Sequence, residues 1–411
     1  MKIVHVSRSH RLHTLPKSTL AKSTLTKGAL VKSGLAKSGL AKSTLTASLG
    51  ALLLSACFIA DDPADSAVVP VQERTVLSQV YEVDRQYRSM TGPYSQEKVF
   101  LLETEEPELL WITGYEAVMV GEDGEQPMPQ DFMCHSNLDI NAYEHRKLIR
   151  TTPSFNPRLF TLSQGQFKIR FPDGFGIPVF SDEPLNLLTQ VLNLNSPDVR
   201  EKVRHKVTIG FVRDQDAAGM QALFPSSAYG LALLEGDDGY YGISKPEEEM
   251  HGPGCLPGEN ASSHEYDDGM GRTFTGHWVV KPGREENRTL VTRLMAIPYD
   301  TTVHYIAVHL HPFAESLELR DLTAGETVFK SRARNHEDRI GLASVDAFSS
   351  PEGLPIYADH DYEIVSTYHN TTDVEQDSMA VMYIYLRDQE FDREKTLAKR
   401  AGSRAAAQQG G

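Results

Sequence analysis

Two histidines separated by one residue lie in a strand-like stretch, residues 302–313, where they could bind a metal ion together. Residue types alternate along this stretch, as is typical of a strand, and His309 and His311 fall on the same face. Side chains two residues apart on a strand are roughly 7 Å apart at their bases, so two imidazoles can converge on one ion through bonds of about 2 Å. The opposite face carries the apolar side chains Ile306, Val308 and Leu310. We therefore expect the apolar face to pack on a core and the histidine face to look outward or into a cleft. His304 falls with the apolar set and is not an expected ligand.

A methionine in a second alternating stretch, residues 377–386, could complete the donor set. Met379 shares a face with Val381 and two tyrosines. A thioether is a soft ligand and imidazole is borderline, so two histidines and one methionine favour copper, especially Cu(I), over Ca²⁺ or Mg²⁺. The alternative interpretations are that Met379 packs in a core and that the two histidines are polar residues on a solvated face.

These stretches resemble part of a known enzyme family. Residues 362–373 (YEIVSTYHNTTD), residues 377–385 (DSMAVMYIY) and the pattern around His309 and His311 are similar to the carboxy-terminal part of the copper type II, ascorbate-dependent monooxygenases. That family includes the peptidylglycine α-hydroxylating and dopamine β-monooxygenases. Met379 falls where the ligand methionine of the family falls. The resemblance covers about residues 265–390 well and the first half of the chain only faintly.

The resemblance implies two antiparallel β-sandwich domains that face each other across a solvent-filled cleft, each with one copper. The methionine-bound copper would bind and activate dioxygen, and a copper held by three histidines would relay an electron. The implied function is a copper-dependent monooxygenase-like activity that hydroxylates a C–H bond of a small molecule or peptide, using a reductant such as ascorbate. The alternative function is non-catalytic copper binding in the cell envelope for storage, delivery or sensing.

The first half departs from this family pattern. Two of the three histidines are adjacent in the family, but this chain has no His-His pair, and Cys134 precedes His135 at the corresponding place. Residues 189–195, the strand expected to supply the third histidine, contain none. His135 is either a remaining ligand of a second site or a buried, hydrogen-bonded histidine, and the second interpretation is favoured. We expect structural roles for three other histidines: His145, His205 and His277.

Short strands separated by Gly, Pro, Asn and Asp predict an all-β fold of two antiparallel, jelly-roll-like β-sandwich domains. The expected amino-terminal sandwich covers residues 73–234 and the copper-binding sandwich covers residues 269–391. An acidic, Gly/Pro-rich connection at residues 235–268 would join them, and residues 392–411 would form a disordered tail. Leu185–Asn195 fits either a strand or a short helix.

The amino-terminal segment predicts export and lipid anchoring. Residues 1–56 carry nine Lys or Arg and no acidic residue, include six five-residue repeats at residues 17–46, and end in a short apolar run. This pattern is typical of a signal peptide, and the following Leu54–Cys57 (LSAC) resembles the lipobox of bacterial lipoproteins. We therefore expect lipidation of Cys57, a tether at residues 57–72 and attachment to the bacterial cell envelope, at the outer membrane.

Charge and cysteine content restrict the partners of the mature chain. Residues 57–411 contain 32 Lys and Arg against 56 Asp and Glu, which argues against nucleic acid as a partner. Once Cys57 is acylated, the remaining thiols are Cys134 and Cys255, which we expect to form a disulfide in an oxidising compartment. The alternative is that Cys134 is a copper ligand beside His135. Nucleophile-elbow, zinc-protease, P-loop and dinucleotide-binding motifs are absent from the sequence.

Overall fold

A computed structural model describes residues 70–89, 91–149, 156–233, 265–267 and 272–409 of the 411-residue chain. The strands up to residue 233 are β1 Gln72–Leu77, β2 Tyr81–Val83, β3 Tyr94–Val99, β4 Leu109–Gly121, β5 Met133–Ile140, β6 Arg158–Ser163, β7 Lys168–Arg170, β8 Phe175–Phe180, β9 Leu185–Val191, β10 Glu201–Arg213, β11 Gln221–Tyr229 and β12 Ala232–Leu233. The later strands are β13 Glu265–Asp267, β14 Thr273–Thr275, β15 Trp278–Val280, β16 Gly283–Leu290, β17 Thr301–Leu310, β18 Ala314–Asp321, β19 Glu326–Asn335, β20 Leu342–Val345, β21 Phe348–Ile356, β22 Tyr362–Asn370, β23 Gln376–Ser378 and β24 Ala380–Arg387. The helices are α1 Ala142–Leu148, α2 Thr292–Met295 and α3 Arg393–Gln409, and 3-10 turns span Gln130–Phe132 and Asp214–Asp216.

A ten-stranded sheet runs through both halves of the described chain. Its order is β1-β10-β4-β8-β11-β24-β17-β21, with β2 added to β10 and β7 added to β4. The other main sheets are β3-β9-β5-β6 in the first half and β16-β22-β18-β19-β20 in the second, and smaller sheets are formed by β12-β14-β13 and β15-β23. The pairings are antiparallel except for the short parallel contact between β8 and β11.

Buried side chains fill the space between these layers. The Tyr115 hydroxyl on β4 lies 2.6 Å from Ser136 Oγ on β5, and the Tyr81 hydroxyl on β2 lies 2.7 Å from Thr189 Oγ1 on β9. These bonds satisfy buried phenols whose rings fill the core, as buried tyrosines require. The predicted all-β fold of antiparallel β-sandwiches is confirmed.

The two halves share the large sheet because β11 pairs with β24 along seven residues, Leu223–Tyr229. Ser66–Gly411 forms one compact unit. The proposed domain boundaries stay a prediction, and the signal segment, the tether up to residue 69 and most of the 235–268 connection lie outside the described residues.

The structure decides one alternative that the sequence left open and differs from one prediction. Leu185–Asn195, which fitted either a strand or a short helix, supplies strand β9. Residues 393–409 form a helix, α3, where a disordered tail was predicted.

The composition of α3 explains this helix. Ala, Lys, Arg and Gln, which favour helices, make up most of it. Asp392 caps its start, because its Oδ1 accepts a 3.0 Å hydrogen bond from the Lys395 backbone N–H. Arg393 pairs with Asp214, and the preceding Phe391 packs edge-on against Trp111 at 5.3 Å, so the start of the helix is tied to the sheet. No helix in the described residues has the length and apolar character needed to cross a membrane.

Candidate functional site

His309 lies at the end of β17 and His311 directly follows it, and both residues are buried. They are 6% and 5% exposed, and β6 from the first half packs against His309 through Ser163. Farther along the same face, the Tyr385 hydroxyl donates a 2.8 Å hydrogen bond to the Leu159 carbonyl oxygen of β6. The expectation that the histidine face looks outward or into a cleft is therefore wrong. Alternation of residue types predicts a strand, but it does not predict which element covers the polar face of that strand.

One tyrosine hydroxyl links Met379 to His311. The ladder between β17 and β24 ends at Leu310 and Ala380. Just beyond it, the Tyr368 hydroxyl donates a 2.6 Å hydrogen bond to the Met379 carbonyl oxygen and accepts a 3.4 Å bond from the His311 backbone N–H. The structure thus brings the backbones of His311 and of the buried Met379 to the same hydroxyl, one residue beyond the pair Leu310–Ala380.

A third histidine borders this group. Trp278 on β15 pairs with Ser378 on β23, and His277 and Met379 adjoin this terminal pair in sequence. The His277 and His311 ring centroids are 5.9 Å apart, and those of His309 and His311 are 5.4 Å apart. Sequence reasoning assigned His277 a structural role, because no motif indicates which strand pairs with residues 376–378.

The ring of His309 is oriented by a residue from the first half. Its Nδ1 lies 2.9 Å from Ser163 Oγ at the end of β6. Burial, followed by the charges of His311, His135 and Arg158, lowers the pKa of His309 well below its ordinary value of 6.5. The ring is therefore neutral at pH 7, which is the form that binds metals.

The ring of His311 is oriented by a carboxylate. Its Nδ1 lies 2.9 Å from Asp377 Oδ2, at ion-pair distance, although the atoms do not meet the angular criteria of a hydrogen bond. Burial opposes ionisation of Asp377, but His311 and Ser89 outweigh it, and the pKa of this carboxyl is lowered. Because an ionised carboxylate only accepts, this contact favours a proton on Nδ1 of His311.

Nδ1 of His309 is thus hydrogen-bonded and Nδ1 of His311 lies at ion-pair distance from a carboxylate, while no hydrogen bond of either Nε2 is found in the described part of the chain. Metal-binding histidines commonly have this pattern, in which the nitrogen that faces away from the metal bonds to a carboxylate or another acceptor. Across the described residues, no group of three or more His, Cys, Asp and Glu is placed to hold a metal ion. A donor set of two histidines and one thioether is the combination that fits these residues, and copper is the metal that suits it.

His135 is buried and hydrogen-bonded in β5. Its Nε2 lies 3.0 Å from Gln190 Oε1, while the Gln190 amide nitrogen donates to the Gly92 carbonyl oxygen. Because that second bond orients the amide, Nε2 of His135 is the donor. Burial, followed by the charges of Arg158 and His205, lowers the pKa of His135 to about 3. This agrees with the interpretation favoured for His135; its candidate role in a second metal site stays a prediction.

The other histidines have separate surroundings. Nδ1 of His145 on α1 lies 3.0 Å from Glu183 Oε1, and His205 on β10 packs edge-on against Tyr81. His304 stacks on Phe175 at 4.1 Å and its Nδ1 lies 3.0 Å from the Ser350 carbonyl oxygen, where a bulge interrupts β17. His304 is therefore held away from the site by local contacts.

The predicted disulfide and lipidation sites are not tested by the structure. Cys134 is buried in β5, whereas Cys255 and Cys57 lie outside the described residues. The Cys134–Cys255 disulfide, the alternative of Cys134 as a copper ligand, and the lipidation of Cys57 stay predictions.

A cavity of about 660 Å³ opens on a different part of the first half. Its lining includes Gly114, Arg170, Phe171, Phe175 and Gly210. His309, His311 and Met379 do not line it. A ligand in this cavity would not contact the candidate metal ligands.

No protein-family model matches the chain, and no curated protein matches it. Among solved structures, the crystal structure of the STIV MCP is 10% identical, with 77% of this chain and 96% of that chain covered and a TM-score of 0.28. The crystal structure of PBCV-1 VP54 is 8% identical, with 78% and 94% covered and a TM-score of 0.30. The structure of PNGF-II is 9% identical, with 78% and 66% covered and a TM-score of 0.32.

Proposed function

We propose that the chain is a copper-binding protein in which His309, His311 and Met379 bind one copper ion, with a preference for Cu(I). The observation that carries the proposal is the Tyr368 hydroxyl, which bonds to the backbones of both His311 and Met379, while the rings of His309 and His311 lie 5.4 Å apart. When bound, copper would supply one-electron redox chemistry at this site. The engaged Nδ1 atoms orient both imidazoles, and burial keeps His309 neutral and excludes bulk water.

The depth of the site favours storage, delivery or sensing of copper. A catalytic metal keeps a coordination position open for substrate or water, whereas a closed site holds the ion. His309, His311 and Met379 are almost fully buried, and β6 packs against His309 through Ser163. Release of copper would then require local opening between β6 and β17.

The donor set itself favours a second function, the copper monooxygenase predicted from the sequence resemblance. In this function the same three residues would hold the copper at which dioxygen is activated, a C–H bond would be hydroxylated and an external reductant would supply electrons. Substrate and dioxygen would have to reach these buried residues. The two functions differ in turnover, so reductant-dependent oxygen consumption by the copper-loaded protein distinguishes them.

Replacing Met379 with Ile should weaken Cu(I) binding more than Cu(II) binding. Ile has a similar volume, so the fold should persist with a cost below about 1.5 kcal/mol, but the soft thioether ligand is lost. Competition with chromophoric Cu(I) and Cu(II) chelators measures both affinities. Met382→Ile is the matched control, because Met382 is also buried, lies on β24 three residues after Met379, and pairs with Val308. Equal losses for the two oxidation states, or equal losses in both variants, would contradict a role for Met379 as ligand.

The site is proposed to act in the bacterial cell envelope, with the chain anchored through a lipid on Cys57. The support is the LSAC sequence after a short apolar run. Mass spectrometry of the membrane-extracted protein should show an acylated amino terminus at Cys57. A mature protein that retains residues 17–46 would contradict this anchor.

A further inference from the structure

The turn between β6 and β7, residues 163–166, reaches from the first half onto the strand that carries both candidate ligands. Ser163 and Gln166 exchange two backbone hydrogen bonds, of 3.2 and 3.1 Å, and so close a tight hairpin. Gly165 has a φ of +86°, a conformation that favours glycine. A Cβ atom at Gly165 would lie 3.3 Å from Leu342 and Val345, so the turn is packed directly against the second half.

Hydrogen bonds hold this turn in place. Gln166 Oε1 accepts a 3.0 Å bond from the Val308 backbone N–H, and Gln166 Nε2 donates to the Tyr305 hydroxyl at 3.2 Å. The Gly165 carbonyl oxygen accepts a 3.2 Å bond from the Val345 backbone N–H. Val308 directly precedes His309 in sequence. The turn therefore fixes the backbone beside His309 through Gln166, and it contacts the His309 ring through Ser163.

Ser163 contacts His309 where water cannot readily replace it. Both side chains are buried, and Ser163 Oγ is the partner of Nδ1 at 2.9 Å. A neutral imidazole carries one proton, on either Nδ1 or Nε2, and only the nitrogen without the proton can bind a metal. If the serine oxygen accepts from Nδ1–H, the lone pair of Nε2 stays available to a metal ion.

We propose that Ser163 is a positioning residue that holds His309 in the Nδ1–H tautomer, with Nε2 ready to bind copper. This inference rests on the proposed copper site and adds that a residue of the first half completes it. Asp377, from the second half, lies 2.9 Å from Nδ1 of His311, at ion-pair distance. The tautomer of His309, unlike that of His311, therefore depends on packing of the β6–β7 turn against the second half. Copper affinity then depends on the same packing.

The test uses the variants Ser163→Ala and Ser163→Thr in the full chain. Removing the partner of a metal-binding histidine typically lowers metal affinity 10–100-fold, so Ser163→Ala should weaken Cu(I) binding by about that factor. Ser163→Thr keeps the hydroxyl and should restore most of the affinity. Ser331→Ala is the matched control, because Ser331 is a fully buried serine whose hydroxyl donates a 2.7 Å bond to the Asp346 carbonyl oxygen without contacting a histidine.

A second measurement does not require copper. Nitrogen-15 NMR of the metal-free chain, with labelled histidine, should show His309 as the Nδ1–H tautomer in the unaltered protein and in Ser163→Thr. In Ser163→Ala we expect a mixture of tautomers or the Nε2–H form. Because this measurement is independent of the metal, a tautomer shift in a chain that binds no copper would support the positioning role and refute the proposed function.

The inference would be overturned if folded Ser163→Ala kept both the Nδ1–H tautomer and the Cu(I) affinity of the unaltered chain. It would equally be overturned if Ser331→Ala lowered the affinity as much as Ser163→Ala, since the effect would then follow from general loss of a buried hydrogen bond. A folded Ser163→Thr chain with the tautomer of Ser163→Ala would also contradict it.

Discussion

Replacing His309 or His311 with Ala should lower copper affinity more than about 100-fold, because loss of a ligand should exceed the effect of losing a residue that only orients one. Each change removes one of two imidazoles whose ring centroids are 5.4 Å apart. Equilibrium competition for Cu(I), together with copper counted per chain after dialysis, measures the effect. If the protein turns over oxygen, reductant-dependent oxygen consumption should disappear in the same variants.

The matched control for these variants is His304→Ala on the same strand. His304 stacks on Phe175 and is held by Thr302 and Ser350, so its loss should leave copper affinity unchanged. His309→Gln separates binding from folding, because an amide can still bond to Ser163 while the imidazole ligand is lost. Copper binding that survives in both His309→Ala and His311→Ala would show that the ion is held elsewhere, and His135 would then be the first ligand to replace.

Alternation of residue types predicted the strands β17 and β24, because side-chain direction follows from strand geometry. The period of two assigned His309 and His311 to one face and grouped Met379 with Val381. His311 and Met379 lie one residue outside β17 and β24, and their role as ligands stays a prediction. Alternation does not predict that these two strands pair with each other, because they are nearly 70 residues apart in sequence. The family resemblance, rather than periodicity, linked Met379 to the histidines.

The residues that surround the donors could not be predicted in the same way. Ser163 reaches His309 from a strand that begins about 150 residues earlier in the chain, and His277 adjoins the short β15–β23 pairing, with its ring 5.9 Å from that of His311. Neither has a local motif, so only the tertiary fold reveals its position. The expected cleft was wrong for a related reason: β17 is buried on both faces, whereas its polar residues suggested one face open to solvent.

The buried imidazoles also have a consequence for stability below neutral pH. Burial lowers the pKa of His135 and of His205 to about 3 and that of His309 well below 6.5. Since the folded pKa values lie below the unfolded value of 6.5, the unfolded chain binds more protons between about pH 6.5 and pH 3. The free energy of unfolding therefore falls as pH drops below 6.5, by up to about 1.4 kcal/mol per pH unit for each histidine.

His205→Leu should reduce this acid sensitivity. Leucine has a similar volume and no titrating group, so the dependence of the free energy of unfolding on pH should decrease by about 1.4 kcal/mol per unit between pH 6 and pH 4. Urea unfolding of the metal-free protein at several pH values measures this slope.

His360→Leu is the control for the same slope. The contact with Asp321 raises the pKa of His360, so its stabilising contribution is fully present below pH 6.5 and is lost only as pH rises through the folded pKa. Removing His360 therefore lowers stability in acid by a constant amount and leaves the slope below pH 6.5 as it was. An unchanged slope in His205→Leu would mean that His205 is not held neutral in the folded chain, and the acid sensitivity would then have to arise from the carboxylates.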